Sequence, residues 1–520
     1  MPADLKAKAY DSMTALVAGV VGVFSPGRAI SYREARDFLR TYVAGELTGP
    51  NQNWRPTNRS ADSEIKRGHR YVMARARDQA QNNAYIAGGL EKICNNVVRR
   101  GIPPQARIRL PNGKQDQKLN KKIERDLWSR WVRYADITGH NSFYAIQRLV
   151  LRHLWVDGEV LIHRVWDWSL KGIVPLRLEI IECDHLDGMV DGQLDNGNIA
   201  RRGIEFSAET GKPVAYHLYE KHPGDYQNLG ALGSSRRIPA EDITHIFDKR
   251  RASQTRGISW LAAILIEAYD LSDYKTYERI GAKLAAAFGI FIKSSAPSYG
   301  GGAGIGIPGN SQMARPGGTE PDPKLPDFIE AGRIQRLPRD TEIQVASHNR
   351  PGTQFEPFIR DSVRGQSTGT GMSYEAYSND YSSASYSSAR SASLEERLSY
   401  RGQQGFLNEK LNDKVWAWFI EAAFVAGLLP ELRDYAVNKL PAHEAVSWQD
   451  PGWHWVDPLK DSKAADTGIA NVTTTRTRVA AANGEEWDEL LEEALTEEEK
   501  LAKLYELRRQ NASAAKGEVA

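Results

Sequence analysis

Residues 258–288, ISWLAAILIEAYDLSDYKTYERIGAKLAAAF, carry apolar side chains at Leu261, Leu265, Ala268, Leu271, Tyr274, Tyr277, Ile280, Leu284 and Phe288. Steps of three and four place these on one face of a helix. Glu267, Asp270, Asp273, Lys275, Glu278, Arg279 and Lys283 fill most of the other faces. At 1.5 Å per residue the predicted helix is about 45 Å long, far beyond an average one. Such a helix packs along neighbours or spans between two parts of a structure.

Downstream, Ser294 to Pro326 is crowded with Gly, Pro and Ser, a loop of the kind that is functional or disordered. Two short strands follow, GRIQRLP at 332–338 and TEIQV at 341–345, then a helix over Pro357 to Gly371. The stretch NDYSSASYSSAR at 379–390 is almost entirely Ser, Tyr and Ala with one terminal cation. Ser393 followed by Glu396 predicts a capping box opening a long helix towards Pro430. At the C-terminal side, Glu485 to Glu499 holds nine acids and no base on a Trp487, Leu490, Leu491, Ala494 stripe. Lys500 to Arg509 supplies the positive end, so the charge order suits the dipole of an amphipathic helix.

Upstream, residues 1–60 read as weakly structured, with a short helical stretch over Tyr32 to Tyr42. Ser60 with Asp62 and Glu64 marks a helix start. Ile65, Val72, Met73, Ala76 and Ala80 continue that face, and a second run over Tyr85 to Val97 stops at Gly101, Pro103 and Pro104. Lys121 to Val156 is again helical and rich in Trp and Arg. Glu159 to Phe247 switches to short strands, with a hairpin predicted between Gly203–Phe206 and Pro213–Tyr219.

Composition narrows the function. The 520 residues hold 68 basic and 66 acidic side chains, a net charge of +2, which excludes a polycation gripping nucleic acid everywhere. Between Arg55 and Arg109, however, twelve bases face four acids. That excess reads either as a solvated face paired with acids elsewhere or as a nucleic-acid or subunit contact. Two cysteines, Cys94 and Cys183, cannot build a disulfide framework or a four-thiolate zinc site, and a reducing cytoplasm is the natural folding environment. No apolar run reaches the ~20 residues that cross a bilayer. Ala15 to Phe24 lacks the cleavage pattern of a signal peptide and reads as a buried or interface segment.

Chemical motifs are sparse. Gly365-Gln-Ser-Thr-Gly369 matches the outline of a nucleophile elbow around Ser367, but its preceding flank reads as helix, where an elbow needs a strand. Gly304-Ile-Gly-Ile-Pro-Gly309 is not followed by the helix that a dinucleotide site needs. Cys183-Asp-His-Leu-Asp187 reads as a strand-end turn rather than a metal site, and Asp187, Asp191 and Asp195 lack calcium-loop spacing. No catalytic residue, cofactor or metal is expected.

Several stretches, in order, do carry a resemblance: RARD at 75–78 with Asn82-Asn83, NVV at 96–98 with Gly101-Ile102, and VDGE at 156–159. They continue with GIE at 203–205, GKPVAYH at 211–217, HIF at 245–247, QTRG at 254–257, NDYS at 379–382, YSSAR at 386–390 and DPLK at 457–460. Together they resemble the lambda-like portal family of tailed bacteriophages. The resemblance implies a non-enzymatic α+β portal fold, assembled as a ring, usually dodecameric, through which double-stranded DNA is packaged and ejected. Mapped on this chain it implies an N-terminal arm and mixed α/β wing over 1–255, a first stem helix over 256–289, and a small α/β clip over 290–352. A second stem helix over 353–372, a tunnel loop over 373–392, a return to the wing over 393–465 and a helical crown with C-terminal tail over 466–520 complete it. Channel-facing residues would be Lys283, Arg279, Asn379, Tyr381, Ser382, Ser383, Tyr386, Ser387 and Arg390. Arg315, Lys324, Arg333 and Arg336 would contact the packaging motor or the connector. Implied partners are further copies of the chain, DNA without sequence preference, the terminase large subunit, the major capsid protein and scaffold, and a head-completion or tail connector protein. No membrane is implied, and the location is the virion's portal vertex, with the host cytoplasm during assembly. Small polar side chains and sparse cations suit a bore in which duplex slides, since many neutralised phosphates would hold it fast. The competing readings are a nucleic-acid-binding module using residues 55–109 and a serine hydrolase centred on Ser367.

Overall fold

The structure, a computed structural model, describes residues 58–110, 112–225, 235–286, 290–294, 341–345, 354–453 and 457–517. The chain divides into a unit Met1–Glu64 and a unit Ile65–Ala520. The Tyr32 to Tyr42 helix, the Gly-rich loop and the strand at 332–338 lie outside the described residues.

Helix α1, Ala61–Asn82, starts as its cap predicts, with Ser60 Oγ accepting from Ser63 N–H at 3.3 Å. Helix α2, Ala84–Val97, is set off by Asn83, whose side chain accepts from the N–H groups of Tyr85 and Ile86. Strand β1, Pro104–Ala106, leads into helical turns over 117–134 that include a π-helical stretch, Lys122–Trp128. Helix α3, Phe143–Val156, carries Ile146, Val150, Leu151 and Leu154 inward.

Strands β2, Glu159–Trp166, and β3, Leu176–Ile181, form an antiparallel hairpin. A meander follows: β4, Gly192–Gln193; β5, Ile199–Arg201; β6, Ile204–Phe206; β7, Pro213–Leu218; and β8, Arg236–Pro239. The predicted hairpin is β6–β7, with Ile204 opposite Tyr216 and the turn closed by Ser207 N–H on Lys212 O at 2.9 Å. Strand β9, Ile243–Phe247, returns to the other edge of β2, giving the order β3-β2-β9.

Helix α4, Leu265–Ala286, is the long striped helix, but it begins later than its periodicity predicts. Ser259 is buried and its Oγ donates to Trp155 O at 2.9 Å while accepting from Leu261 N–H at 3.2 Å. These bonds divert residues 258–264 from helical pairing, so Leu261 and Ile264 anchor in the core as turns. Strands β10, Ile290–Ser294, and β11, Thr341–Val345, pair antiparallel. Helix α5, Phe355–Thr370, ends on Gly371 in the left-handed region at φ +70°, as its sequence predicts.

The Ser/Tyr segment is not a loop throughout. Helix α6, Tyr374–Ser378, occupies its start, and α7, Tyr386–Leu407, begins inside it. The cap of α7 is Ser385, in a reciprocal box with Ser388, rather than Ser393 with Glu396. Glu396 serves elsewhere, its Oε1 accepting from Ser373 N–H at 2.5 Å. A π-helical stretch, Asn408–Asn412, joins α7 to α8, Asp413–Val425. Strand β12, Val446–Trp448, pairs with β1; α9, Pro458–Ala470, α10, Arg476–Ala482, and α11, Trp487–Gly517, finish the described chain. Among the described residues no helix is long and apolar enough to cross a membrane.

The main core centres on aromatic rings from three separated stretches. Trp128 lies 4.9 Å from Trp131 and from Phe419, and Trp131 lies 5.5 Å from Phe143. Trp416 is fully buried beside them and donates to Ala442 O at 3.1 Å. Trp131 donates to Leu176 O at 2.7 Å, so its polar edge is satisfied where its ring fills space. Trp131→Ala is expected to lower stability by about 3–5 kcal/mol in urea unfolding; a loss below about 1 kcal/mol would show that the rings repack freely.

The acidic start of α11 meets the turns at 117–134. Lys121 pairs with Glu492, and Arg125 lies 3.5 Å from Glu489 and 3.6 Å from Glu492. Burial raises the Glu124 carboxyl to about 7, with Glu486 and Glu489 adding to the rise against the Ala106 N–H bond. Between about pH 4.3, the free glutamate value, and pH 7, folded Glu124 keeps a proton that the unfolded chain has released, so stability falls as pH rises. Glu124→Gln should flatten the melting temperature across that window and raise it at pH 8; an unchanged pH profile would contradict the assignment.

Candidate functional site

Four of the stretches that carry the resemblance meet in one buried knot. Glu159 has no solvent exposure and lies under Arg256, whose Nη2 is 2.6 Å from Oε1. Its Oε2 accepts from Gly257 N–H at 2.7 Å and faces His245 Nε2 at 2.9 Å. Burial alone would raise this carboxyl, but Arg256, His245 and His69 outweigh it and hold it well below the usual carboxylate range. Burial also depresses His69 to about 4, so it is neutral near pH 7 and donates from Nε2 to Gly257 O at 3.0 Å. Gly158, at φ +89°, has no room for a Cβ, which would fall 2.0 Å from Ile258 C. Arg77, from the RARD stretch, bonds Asp157 and Asp184 at 2.6 Å each. The knot therefore joins α1, β2 and the root of α4.

From that root α4 runs beside α5. The Tyr274 ring lies tilted 5.8 Å from Phe355 and meets Phe358 edge-on at 4.7 Å. At the other end, a Cβ on Gly365 would lie 2.6 Å from Glu267 Oε1, and one on Gly369 would lie 2.3 Å from Ile264 Cγ2. The two helices are thus antiparallel and close, with the glycines of G-x-S-x-G on the contact face. Ser367 is buried in the last turn of α5 and donates to Arg364 O at 2.8 Å, with helix and no strand before it, so the elbow reading fails on conformation. The motif is a helix-packing device.

The opposite side of α4 is different. Ile266, Tyr269, Tyr277 and Ile280 are 72, 55, 66 and 47% exposed, an apolar stripe that nothing in the chain's described residues covers. The sequence stripe is therefore split, with Leu265, Ala268 and Leu271 buried and Tyr277 and Ile280 exposed.

The predicted channel residues fall into three groups. Asn379 caps α6 at φ +60° and accepts from Lys92 Nζ at 2.5 Å, while Lys92 also bonds Ala376 O. Asp380 accepts from the Ser382 hydroxyl at 2.6 Å and from Tyr374 at 3.0 Å, which fixes the turn. Tyr381, Ser382 and Ser383 on that turn, and Tyr386 and Ser387 in the first turn of α7, are exposed. Arg390 is half-buried and paired with Asp461 at 3.1 Å. Arg279 and Lys283 are exposed on α4 and make no hydrogen bond or ion pair with that turn. Arg315, Lys324, Arg333 and Arg336 lie outside the described residues.

Part of the 55–109 basic excess is spent on internal partners, Lys66 on Asp191 at 2.7 Å, Arg77 as above and Lys92 on the end of α6. Cys183 opens a 3-10 turn, Cys183–His185, and its buried thiol faces Met73 Sδ at 3.3 Å. Glu182, Asp184 and His222 lie together, but the Arg77 guanidinium already provides their cation.

Residues 48–404 match the family described as phage portal protein, lambda family. The chain belongs to the lambda family of phage portal proteins. The "Probable portal protein" of Halomonas phage phiHAP-1 is 29% identical over 467 residues, covering 88% of this chain and 86% of that one. Portal protein B of Escherichia phage lambda is 20% identical over 475 residues, covering 86% of this chain and 87% of that one. Among solved structures, a chain in the neck of an empty GTA particle has a TM-score of 0.45 at 14% identity, covering 81% of this chain and 94% of that one. A chain in the virion of a native gene transfer agent particle has a TM-score of 0.43 at 13% identity, with 83% and 96% covered. Portal proteins are structural components of the capsid rather than enzymes, and the family match extends from before α1 into α7.

Arg256→Met leaves Glu159 buried without its main counter-charge and should cost about 3–5 kcal/mol of unfolding free energy. The double variant Glu159→Leu/Arg256→Met should recover much of that loss in the same denaturation assay. Equal losses in both would mean the knot acts by shape and not by charge.

Proposed function

We propose that copies of this chain close into a ring, usually of twelve, that forms the channel at the portal vertex through which double-stranded DNA enters and leaves the capsid. The observation that carries this reading is the exposed stripe of Ile266, Tyr269, Tyr277 and Ile280 on α4. A second copy packed there removes apolar surface from water, worth roughly 25 cal/mol per Å², and repetition of that contact closes a ring. Residues 256–289 and 353–372 then act as the stem, and the β10–β11 pair belongs to a clip over 290–352 that meets the terminase motor and later the connector. The exposed, hydroxyl-rich turn at 379–387 faces the duplex as a tunnel segment. Residues 1–255 and 393–465 make the arm and wing, 466–520 the crown, and the capsid protein and scaffold surround them. Assembly takes place in the host cytoplasm.

Negative-stain imaging of the purified full chain should show rings with a central hole. Ile266→Asp/Tyr277→Asp should yield folded monomers with an unchanged circular dichroism spectrum. A chain that stays monomeric at high concentration, with the variant indistinguishable from it, would overturn the reading.

A further inference from the structure

Helix α1 turns a basic side to solvent. Arg67, Arg70, Tyr71, Ala74 and Arg75 are exposed there, Tyr71 by 70%. None of the three arginines has a hydrogen-bond or ion-pair partner among the described residues. Arg70 acts on the Tyr219 phenol through its charge alone, against the rise that burial and Asp187 impose. The one acid between Arg67 and Asn82 is Asp78, and it accepts from Asn82 at 2.7 Å and from Gln79 at 3.3 Å within its own helix. Along the axis Arg67 and Arg75 are about 12 Å apart.

The exposed stripe of α4 carries the opposite charge. Ile266, Asp270, Asp273, Tyr277 and Ile280 follow one another at steps of four, three, four and three, so the two aspartates stand on the same side as the apolar residues. Asp270 is exposed and Asp273 half-buried, and neither has a hydrogen-bond or ion-pair partner among the described residues. The nearest base in sequence, Lys275, is on the back of the helix, with Nζ 4.7 Å from the centre of the Tyr85 ring. From Asp270 to Tyr277 the stripe runs about 10 Å, a length close to that of the arginine side of α1. A guanidinium pairs with a carboxylate through its N–H edge and lies flat on an aromatic ring, so arginines beside a tyrosine fit aspartates beside tyrosines.

The two sides are also turned apart on one frame. His69, about 160° around α1 from Arg67, is bonded to Gly257 O at the root of α4. Asn83, at the end of α1, donates to Ser272 Oγ at 3.3 Å and to Ala268 O at 3.5 Å. Ala268 and Ser272 lie about 180° and 140° around α4 from Tyr277. Helix α1 and the start of α2 therefore sit behind α4, with the arginines facing one way and the stripe the other. Complementary faces on opposite sides of one chain are what a head-to-tail contact repeats, and such a contact can close into a ring.

We propose that the α4 stripe of one copy is covered by α1 of the next, with Arg67, Arg70 and Arg75 pairing with Asp270 and Asp273 while Tyr71 packs among Ile266, Tyr269 and Tyr277. This names the surface that meets the stripe and rests on the ring reading, which does not itself depend on it.

The test scores rings of the purified full chain by sedimentation velocity and negative-stain imaging. Arg67→Glu/Arg70→Glu/Arg75→Glu, and separately Asp270→Arg/Asp273→Arg, set like charges across the contact and should each reduce assembled rings about tenfold or more. An equal mixture of the two variants should restore rings, because each contact in an alternating ring joins either the two reversed faces or the two native ones. A single chain carrying all five substitutions should likewise assemble by itself. Should a reversal disturb the circular dichroism spectrum, Arg67→Gln/Arg70→Gln/Arg75→Gln removes charge alone and should still lower the yield of rings; an unchanged yield would overturn the pairing. Normal rings in both reversed variants, or lost rings that neither the mixture nor the combined chain recovers, would overturn it too and leave the ring reading standing. Normal rings in the α1 variant that hold a short labelled duplex about tenfold more weakly would overturn the pairing and give the α1 face to nucleic acid. A wild-type chain that forms no rings would overturn the ring reading, and this contact with it.

Discussion

A carboxylate with no exposure to water has to be compensated where it sits, and Glu159 is compensated by groups drawn from distant parts of the chain. Arg256 and Gly257 supply charge and an N–H from the root of α4, His245 comes from β9, and His69 reaches in from α1. Removing any one leaves a buried polar group short of a partner, which costs more than the pair contributes when intact. The geometry of the region follows. Just beyond Gly257, Ser259 bonds Trp155 O and Leu261 N–H, and the chain turns through 258–264 before the helix takes over.

That fixed root gives the α4–α5 pair its direction. Gly365 and Gly369 bring the α5 backbone against Glu267 and Ile264 near the root, while Tyr274 and the two phenylalanines hold the pair further along. One face of α4 is consumed by this packing and by the core. The other keeps two isoleucines and two tyrosines in water, an arrangement that a lone soluble chain has no reason to maintain.

Local signals are legible in the sequence. The stripe of α4, the helical span of α5, the Ser60 start, the β6–β7 hairpin and the charge order of α11 are all written in short-range spacing, which is what periodicity reports. The knot is visible as VDGE and QTRG but not as a contact, because Glu159 and Arg256 lie 97 positions apart and nothing local couples them. Ser385 escapes notice as a cap because its box partner is Ser388 and not an acid, while the better-looking Glu396 is taken by Ser373. G-x-S-x-G misleads in a similar way, since glycine at a four-residue interval serves close helix approach as well as a strained turn. Of the candidate site, the exposed serines and tyrosines are readable from composition, whereas the pairing of Arg390 with Asp461 depends on the docking of α9.

The antiparallel β10–β11 pair has a consequence for how the chain can vary. Ile290 sits opposite Val345 and Ser294 opposite Thr341, so the polypeptide departs and comes back across a single strand spacing of about 5 Å. Whatever is inserted between those two points is tethered at neighbouring ends, and doubling its length costs only about 0.6 kcal/mol in closure entropy. Connections of different length can therefore join the same two strand ends, so the register of the pair, and not the number of residues between them, decides how the ends meet.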